Sequence, residues 1–397
     1  MHPGTTRRQF LATTAGATAV TFLKPALAFS AQAHSKISLG IIGCGGRGAW
    51  IARLFAESGL YQVTACSDYF RDRIEAVGEA HGIPASRRYA GLNGYRGLLE
   101  TDVDAVVIET PPFFHPEQAM AAVEAGKHVF LAKPIAVDVP GCLTIAEAGR
   151  KAAAKNLVFL VDFQTRANEH YREALRRLRQ GDLGRIVMAE AFYPWSGGGR
   201  GGPPATVEEQ LRQWYYVLPL SGDFIVEQAI HALDVATWIL DADPVKAVGL
   251  GGRAMRPQNS IFDHFALTYT FPNEVPLAFT CVQAIPAFKD EIRCRAYGTE
   301  GYLDTDYFGS VWIRGNEPYK GGSTGNLYTE GAEVNIREFH QAVTQRLYTN
   351  PTVAPSVRAN LTAVLGREAG YRRREVTLAE LLKENRRLEF DTRGLQG

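Results

Sequence analysis

"IIGCGGRGAW", residues 41–50, is the stretch on which the fold turns. Gly43, Gly45 and Gly48 form G-x-G-x-x-G directly after an apolar run that begins at Ile37. They stand directly before "AWIARLFAE", residues 49–57, which has helical spacing. The three glycines differ in physical role. The first permits a tight turn, the second lets backbone approach a pyrophosphate, and the third lets the helix pack closely on the strand. Gly46 and Arg47 complete the loop, whose amides at the helix N-terminus face an anion. The next apolar run, "YQVTACSD", ends in Asp68, 20 residues beyond Gly48, where a carboxylate accepts hydrogen bonds from ribose hydroxyls. That charge repels a 2′-phosphate, so the pattern predicts NAD in preference to NADP. Arg71 and Arg73 follow closely and soften the preference.

Outward from this loop the same grammar repeats. "DAVVIETPP" and "HVFLAKP" are short apolar runs, each followed by an amphipathic stretch, the signature of βαβ units and a doubly wound parallel sheet buried on both faces. After "NLVFLVDFQ" a helical segment, "NEHYREALRRLRQG", leads into long alternating runs such as "HFALTYTF" and "PLAFTCVQAI". Alternation of that length predicts a largely antiparallel open sheet in a second, α+β domain. The expected division is a Rossmann domain over 34–156 and a substrate-binding and oligomerisation domain over 157–397. "SGGGRGGPP", residues 196–204, reads as a flexible loop, either an idle connection or a lid on the substrate side.

Composition excludes several function classes. The chain has 397 residues with 46% hydrophobic and 21% charged content, enough for two cores, and a formal net charge of +1. The first 33 residues hold Arg7, Arg8 and Lys24 and no acid, so the remainder is slightly acidic. Nothing in that balance suggests a nucleic acid or polyanion as partner. The five cysteines lack zinc or disulfide-framework spacing and read as mostly buried thiols, no metal cluster is expected, and no nucleophile elbow appears.

"ETPPFFHPEQAMAAVEAGKHVFLAKPIAV", residues 109–137, closely resembles the glucose-fructose oxidoreductase, inositol dehydrogenase and rhizopine-catabolism (Gfo/Idh/MocA) family. The resemblance runs from about Lys36 to the end. It rests on Thr110, Pro111 and His115 in TP-x-x-x-H, on the "AGKHV" approach and on the downstream "GDFIVEQAIHALD". It implies an NAD-dependent oxidoreductase acting on a carbohydrate, with Thr110, Pro111, His115 and Lys133 at the cofactor and Lys133 and His231 as catalytic positions beside the nicotinamide. A homo-oligomer, dimer or tetramer, formed through the open sheet is implied as well.

Two departures stand out. The usual Glu-Lys-Pro reads Ala132-Lys133-Pro134, and the usual Asp-x-x-x-His reads Glu227-x-x-x-His231. Oxidising a hydroxyl needs a group to take its proton as hydride leaves, and lysine and histidine are both suited to that role. Four residues apart on one helix, Glu227 and His231 share a face, so the carboxylate is expected to set the imidazole's tautomer. "DFQTRANEHY" adds Gln164, Arg166 and Tyr171, and "LRQWYYV" adds Arg212, Trp214, Tyr215 and Tyr216. Aromatic faces pack on the C–H faces of sugars while arginine and glutamine bond hydroxyls; core packing or an oligomer interface accounts for the same aromatics equally.

The N-terminus, "TTRRQFL" at residues 5–11, carries Arg7 and Arg8 before a weakly apolar segment ending in "ALA" at 26–28 or "AQA" at 31–33. That order predicts a twin-arginine signal peptide over 1–33, the twin-arginine export machinery as a partner and a periplasmic location. The route carries folded proteins, and no pool of free NAD exists outside the cytoplasm, so the cofactor is expected to travel as a tightly held, internally recycled group. Hydride taken from a substrate is then returned within the same site, by dismutation of two sugars or by transient oxidation in a hydrolase, lyase or epimerase. A non-catalytic sugar-binding protein with a vestigial cofactor site, suggested by Ala132, is the reading of a different class.

Overall fold

The structure, a computed structural model, describes residues 36–397 apart from 200, 203, 287 and 288; the paired arginine and both expected cleavage points lie outside the described residues. Six strands, β1 (Ile37–Ile42), β2 (Tyr61–Asp68), β3 (Arg88–Ala90), β4 (Ala105–Ile108), β5 (His128–Ala132) and β6 (Phe159–Asp162), form a sheet of order β3-β2-β1-β4-β5-β6. All five pairings are parallel. Their apolar runs are near-continuous because helices cover both faces, leaving no solvated side for polar residues to alternate onto. Chain order reverses between β1 and β4, which puts the ligand crevice of such a sheet outside the carboxyl ends of these two strands. β6, placed beyond the boundary expected near Leu157, extends this same sheet to Asp162.

Glycine shapes the entry to the crevice. Between β1 and α1 (Gly46–Glu57), Gly43 adopts φ +97°, and a Cβ on Gly48 would lie 1.8 Å from the Gly43 carbonyl oxygen. No side chain fits at either position. α2 (His115–Glu124) leaves the loop after β4, and α3 (Val139–Ala154) is capped by Asp138, whose carboxylate accepts from the Gly141 amide at 2.8 Å.

The second sheet is mixed and mostly antiparallel: β7 (Ile186–Trp195), β8 (Lys246–Gly252), β9 (His264–Phe271), β10 (Val275–Gln283), β11 (Arg293–Gly298), β12 (Gly301–Asp306), β13 (Ser310–Gly315), β14 (Tyr319–Ser323) and β15 (Val376–Thr377), in the order β14-β13-β12-β11-β7-β10-β9-β8-β15. Among the described residues only β7 and β10 run parallel in it. Packed against it are α4 (Phe224–Glu227) and α5 (Ile230–Leu240), the latter apolar on almost every side and buried accordingly. α6 (Leu327–Gln345) turns back onto the first sheet, placing Ala332, Ile336 and Phe339 in the cluster that holds Leu39, Ile41 and Phe130. α7 (Val353–Arg372) ties the two sheets together, meeting Gly149 of α3 through Val353 and β9 through Gly366 and Gly370.

Beyond Glu384 the chain forms neither helix nor strand and runs back against the first domain. The Leu388 amide donates to Asp138 at 2.8 Å, Phe390 meets Phe113 edge-on at 6.0 Å, and the Leu92 amide donates to the Gln396 carbonyl at 3.0 Å. The glycine-rich loop is pinned: Arg256 donates to the carbonyls of Gly198 and Gly199 at 2.8 and 3.0 Å, and the Tyr216 hydroxyl donates to Gly198 at 2.6 Å. Arg256 is fully buried, and its remaining donor reaches the Gln283 side-chain oxygen at 2.6 Å, a use of arginine that composition alone does not foretell.

Candidate active site

A cleft opens at the carboxyl ends of β1, β2 and β4, lined among others by Gly45, Gly46, Asp68, Phe70, Thr110 and Trp214. Its residues fit a dinucleotide. A Cβ on Gly46 would meet nothing within 4 Å, and one on Gly45 only the Arg73 guanidinium at 3.6 Å, so the loop offers bare backbone at the start of α1. The Asp68 carboxylate accepts from the Cys44 amide at 2.7 Å and the Phe70 amide at 2.8 Å, which fixes it at the end of β2. Burial pushes its pKa up; those two amides and Arg73 pull the other way.

Thr110 and Pro111 line the same cleft. His115 lies behind the wall: its Nε2 is 2.7 Å from the Thr110 carbonyl and its Nδ1 2.8 Å from the Pro134 carbonyl. Burial lowers its pKa to about 4, so it is neutral near pH 7 and donates to only one of the two. The sequence assigns His115 to the cofactor; the geometry makes it a brace between the two loops that flank the cleft.

At the other end Lys133 follows β5. Its ammonium donates to the Glu227 carbonyl at 2.6 Å and lies 3.3 Å from the Glu227 carboxylate, with the side chain only 10% exposed. The expectation that Glu227 orients His231 is corrected here. The helix is interrupted at Gln228 and Ala229 between α4 and α5, so the i, i+4 geometry of one helix does not apply, and Glu227 turns to the lysine instead. His231 is buried, edge-on to Phe163 at 6.1 Å and Tyr307 at 5.9 Å, and its Nδ1 has no hydrogen-bond partner among the described residues. Burial first, then the charges of Lys133 and Arg47, hold its pKa well below the usual imidazole range. The ring is therefore neutral, and its free nitrogen is open to a hydrogen bond.

Arg47 belongs to this end as well. Its Nε lies 3.1 Å from Glu109 and its Nη2 2.5 Å from Asp162, while Nη1 donates to the Tyr328 hydroxyl at 3.0 Å. Burial raises the Glu109 pKa to about 7, against the pull of Arg47. Glu109, Asp162, Tyr307 and Tyr328 are not among the candidates that the sequence singles out. Their only signal is positional, since Glu109 and Asp162 stand at strand ends in a parallel sheet, where ligand-facing residues collect.

The remaining candidates divide. Gln164 is buried and donates to Asp162 at 2.9 Å, with its Oε1 unpartnered among the described residues, so it borders the reactive end. Arg166 does not: it forms a forked pair with buried Asp234 at 2.8–3.0 Å and stacks on Trp238, a structural clamp between helices. Tyr171 is core. Arg212 pairs with Asp72 at 3.3 Å and covers the Phe70 ring at 3.9 Å, and Trp214 joins the cluster beside it. Both therefore sit at the Asp68 end of the cleft and not beside Lys133. The Tyr215 hydroxyl bonds Gln228 at 2.7 Å and Gln283, within reach of the Glu227 charge.

Comparison with known proteins accords with this geometry. A family model described as "Oxidoreductase family, NAD-binding Rossmann fold" matches residues 37–162, and one described as "GFO/IDH/MocA C-terminal domain" matches 171–304. Inositol 2-dehydrogenase 3 of Saccharopolyspora erythraea is 31% identical over 231 residues, 57% of this chain and 60% of that protein. The scyllo-inositol 2-dehydrogenase (NAD(+)) of Bacillus subtilis is 25% identical over 272 residues, 68% and 73% of the two chains. The chain thus spans about three fifths of the length of the first of these curated relatives. Among solved structures, an oxidoreductase domain protein from Kribbella flavida shares the fold with a TM-score of 0.74 at 18% identity, covering 87% of this chain and 99% of that one. A levoglucosan dehydrogenase in complex with NADH does so with a TM-score of 0.71 at 19% identity and the same coverage.

Proposed function

The chain belongs to the Gfo/Idh/MocA oxidoreductase family through two successive matched segments, and on that premise we propose that it oxidises and reduces a sugar or sugar derivative with NAD retained in the site. The observation that carries this reading is that the tethered Lys133 and the neutral His231, its Nδ1 without a hydrogen-bond partner among the described residues, lie within electrostatic reach of each other and of Arg47 and Glu109, which line the dinucleotide cleft. When bound, NAD supplies the hydride acceptor. The chain's own groups do the rest. Glu227 holds the lysine through two contacts, Lys133 exchanges the hydroxyl proton while the neutral His231 hydrogen-bonds the reacting oxygen, and Tyr215 with Gln228 and Gln283 forms a polar wall suited to further hydroxyls. Inositol and levoglucosan dehydrogenases among the relatives and neighbours point to a cyclic polyol or anhydrosugar as the substrate class.

Retention is supported by the strap after Glu384, whose Phe390 and Leu395 pack in one cluster with Phe70, Leu211 and Trp214 of the cleft wall. The decisive assay incubates purified protein, without added NAD, with a panel of inositols, aldoses and levoglucosan. Sustained turnover without net NADH is expected. Equal amounts of oxidised and reduced product identify dismutation, and a cleaved or epimerised product identifies transient oxidation; a strict requirement for stoichiometric free NAD overturns retention. Binding of these sugars with no turnover returns the protein to the class of binders.

Export is the remaining part of the proposal, and it rests on Arg7 and Arg8. Exchanging both for lysine preserves the charge and is expected to leave the protein in the cytoplasm. Fractionation that finds this variant exported as before removes the twin-arginine route, and with it the reason for cofactor retention drawn from location.

A further inference from the structure

We infer that Glu109 is a positioning residue that, with Asp162, holds Arg47 over Ala132 and so sets the charge balance around Lys133 and His231. The inference rests on the reading of Lys133 as part of the reactive end. Its basis is the strand register. β4 and β5 are paired through Ile108 with Leu131, so one further step brings Glu109 level with Ala132, and Ala132 is in turn level with Asp162 on β6. The face is fixed by alternation: Ile108, Leu131 and Val161 lie in one core cluster, Val107, Phe130 and Leu160 in the other. Glu109, Ala132 and Asp162 therefore form a row across three strand ends on the side from which α1 approaches.

Arg47, in the first turn of α1, spans that row, 3.1 Å from Glu109 and 2.5 Å from Asp162. Between its two anions stands the alanine. A glutamate at 132 would put a third carboxylate beside one guanidinium in a buried site, an arrangement that like charges oppose. The small side chain at 132 and the acid at 109 are thus matched to one guanidinium. The consequence reaches the reactive end because Lys133 and Arg47 both lower the His231 pKa, and Lys133 also acts on Glu109. With Glu109 removed, two cations face the imidazole with one carboxylate fewer to balance them.

A swap tests this. Glu109→Ala is expected to lower turnover about 10- to 100-fold with little change in KM for sugar. It should also weaken NAD+ binding by about tenfold more than NADH binding, since only the oxidised ring carries positive charge. Adding Ala132→Glu to that variant supplies a carboxylate from the neighbouring strand end and should return both readouts to within about threefold of the parent. Ala132→Glu alone should lower the melting temperature, and Glu109→Ala should relieve that loss, a coupling that independent sites do not show. Should Glu109→Ala fail to fold, Glu109→Gln, which keeps the shape, must show the same NAD+ preference shift. A folded double variant that recovers neither readout, or a Glu109→Gln variant with unchanged NAD+ and NADH affinities, overturns the inference. If Lys133→Met leaves turnover intact, the failure is instead in the assignment of the reactive end.

Discussion

Replacing Lys133 by methionine lowers turnover by about 100-fold or more, the scale expected for a lost proton-transfer group, while NAD remains bound. Methionine preserves the length of the side chain and removes its nitrogen, so the loss reports chemistry and not a collapsed site. The Glu227 contacts, 2.6 Å to the carbonyl and 3.3 Å to the carboxylate, show why position matters as much as identity: two of the three ammonium donors are committed to one residue. Glu227→Gln keeps the carbonyl contact and removes the charge, and is expected to cost about tenfold, less than the lysine itself. His231→Ala should impair the same step, because its unpartnered Nδ1 is a neutral acceptor buried beside this pair. Single-turnover measurements with bound cofactor separate these effects from sugar binding. If Lys133→Met turns over at the parent's rate, the proton is handled elsewhere, and His231 alone carries the reading.

The cofactor loop is legible in the sequence because its constraint is local. Gly43 and Gly48 are dictated by a φ of +97° and a 1.8 Å approach, both properties of a few consecutive residues. Asp68 is legible for the same reason, as the end of the next apolar run. What escapes is whatever depends on neighbours brought together from far along the chain. The helix break at Gln228 and Ala229 reassigns Glu227 from histidine to lysine, although spacing four apart suggests the opposite. Arg166 looks like a sugar ligand until Asp234, 68 positions away, supplies its forked partner. Ala132 reads as a lost carboxylate, and only the strand register, ending at Ile108 with Leu131, brings Glu109 one step beyond into view. The glycine-rich loop looks flexible because Arg256, more than 50 positions later, is not recognisable as its anchor.

Ending the chain at Glu384 is expected to make turnover depend on added NAD. The strap beyond this residue is tied at three places. Its Leu388 amide bonds Asp138 at 2.8 Å, Phe390 lies against Phe113, and the Gln396 carbonyl accepts from Leu92 at 3.0 Å. Leu92, Tyr69 and Phe114 belong both to the cleft lining and to the cluster the strap joins, so the strap braces the wall that cofactor passes on leaving. Phe390 and Leu395 are the side chains that resist. Partial burial of each contributes about 1.5 kcal/mol, and the two together correspond to about a 100-fold change in the rate of cofactor loss, at about 1.4 kcal/mol per tenfold. Dialysis of the shortened protein should therefore strip NAD that the parent keeps. Added NAD should then restore turnover near the parent's rate, because the contacts that hold Lys133, Glu227 and His231 come from other parts of the chain. The paired variant Phe390→Ala with Leu395→Ala, which leaves the backbone ties in place, is expected to show most of the same loss. A shortened protein that keeps its NAD through dialysis would remove the strap as the latch and leave retention to the cleft walls around Asp68, Phe70 and Trp214.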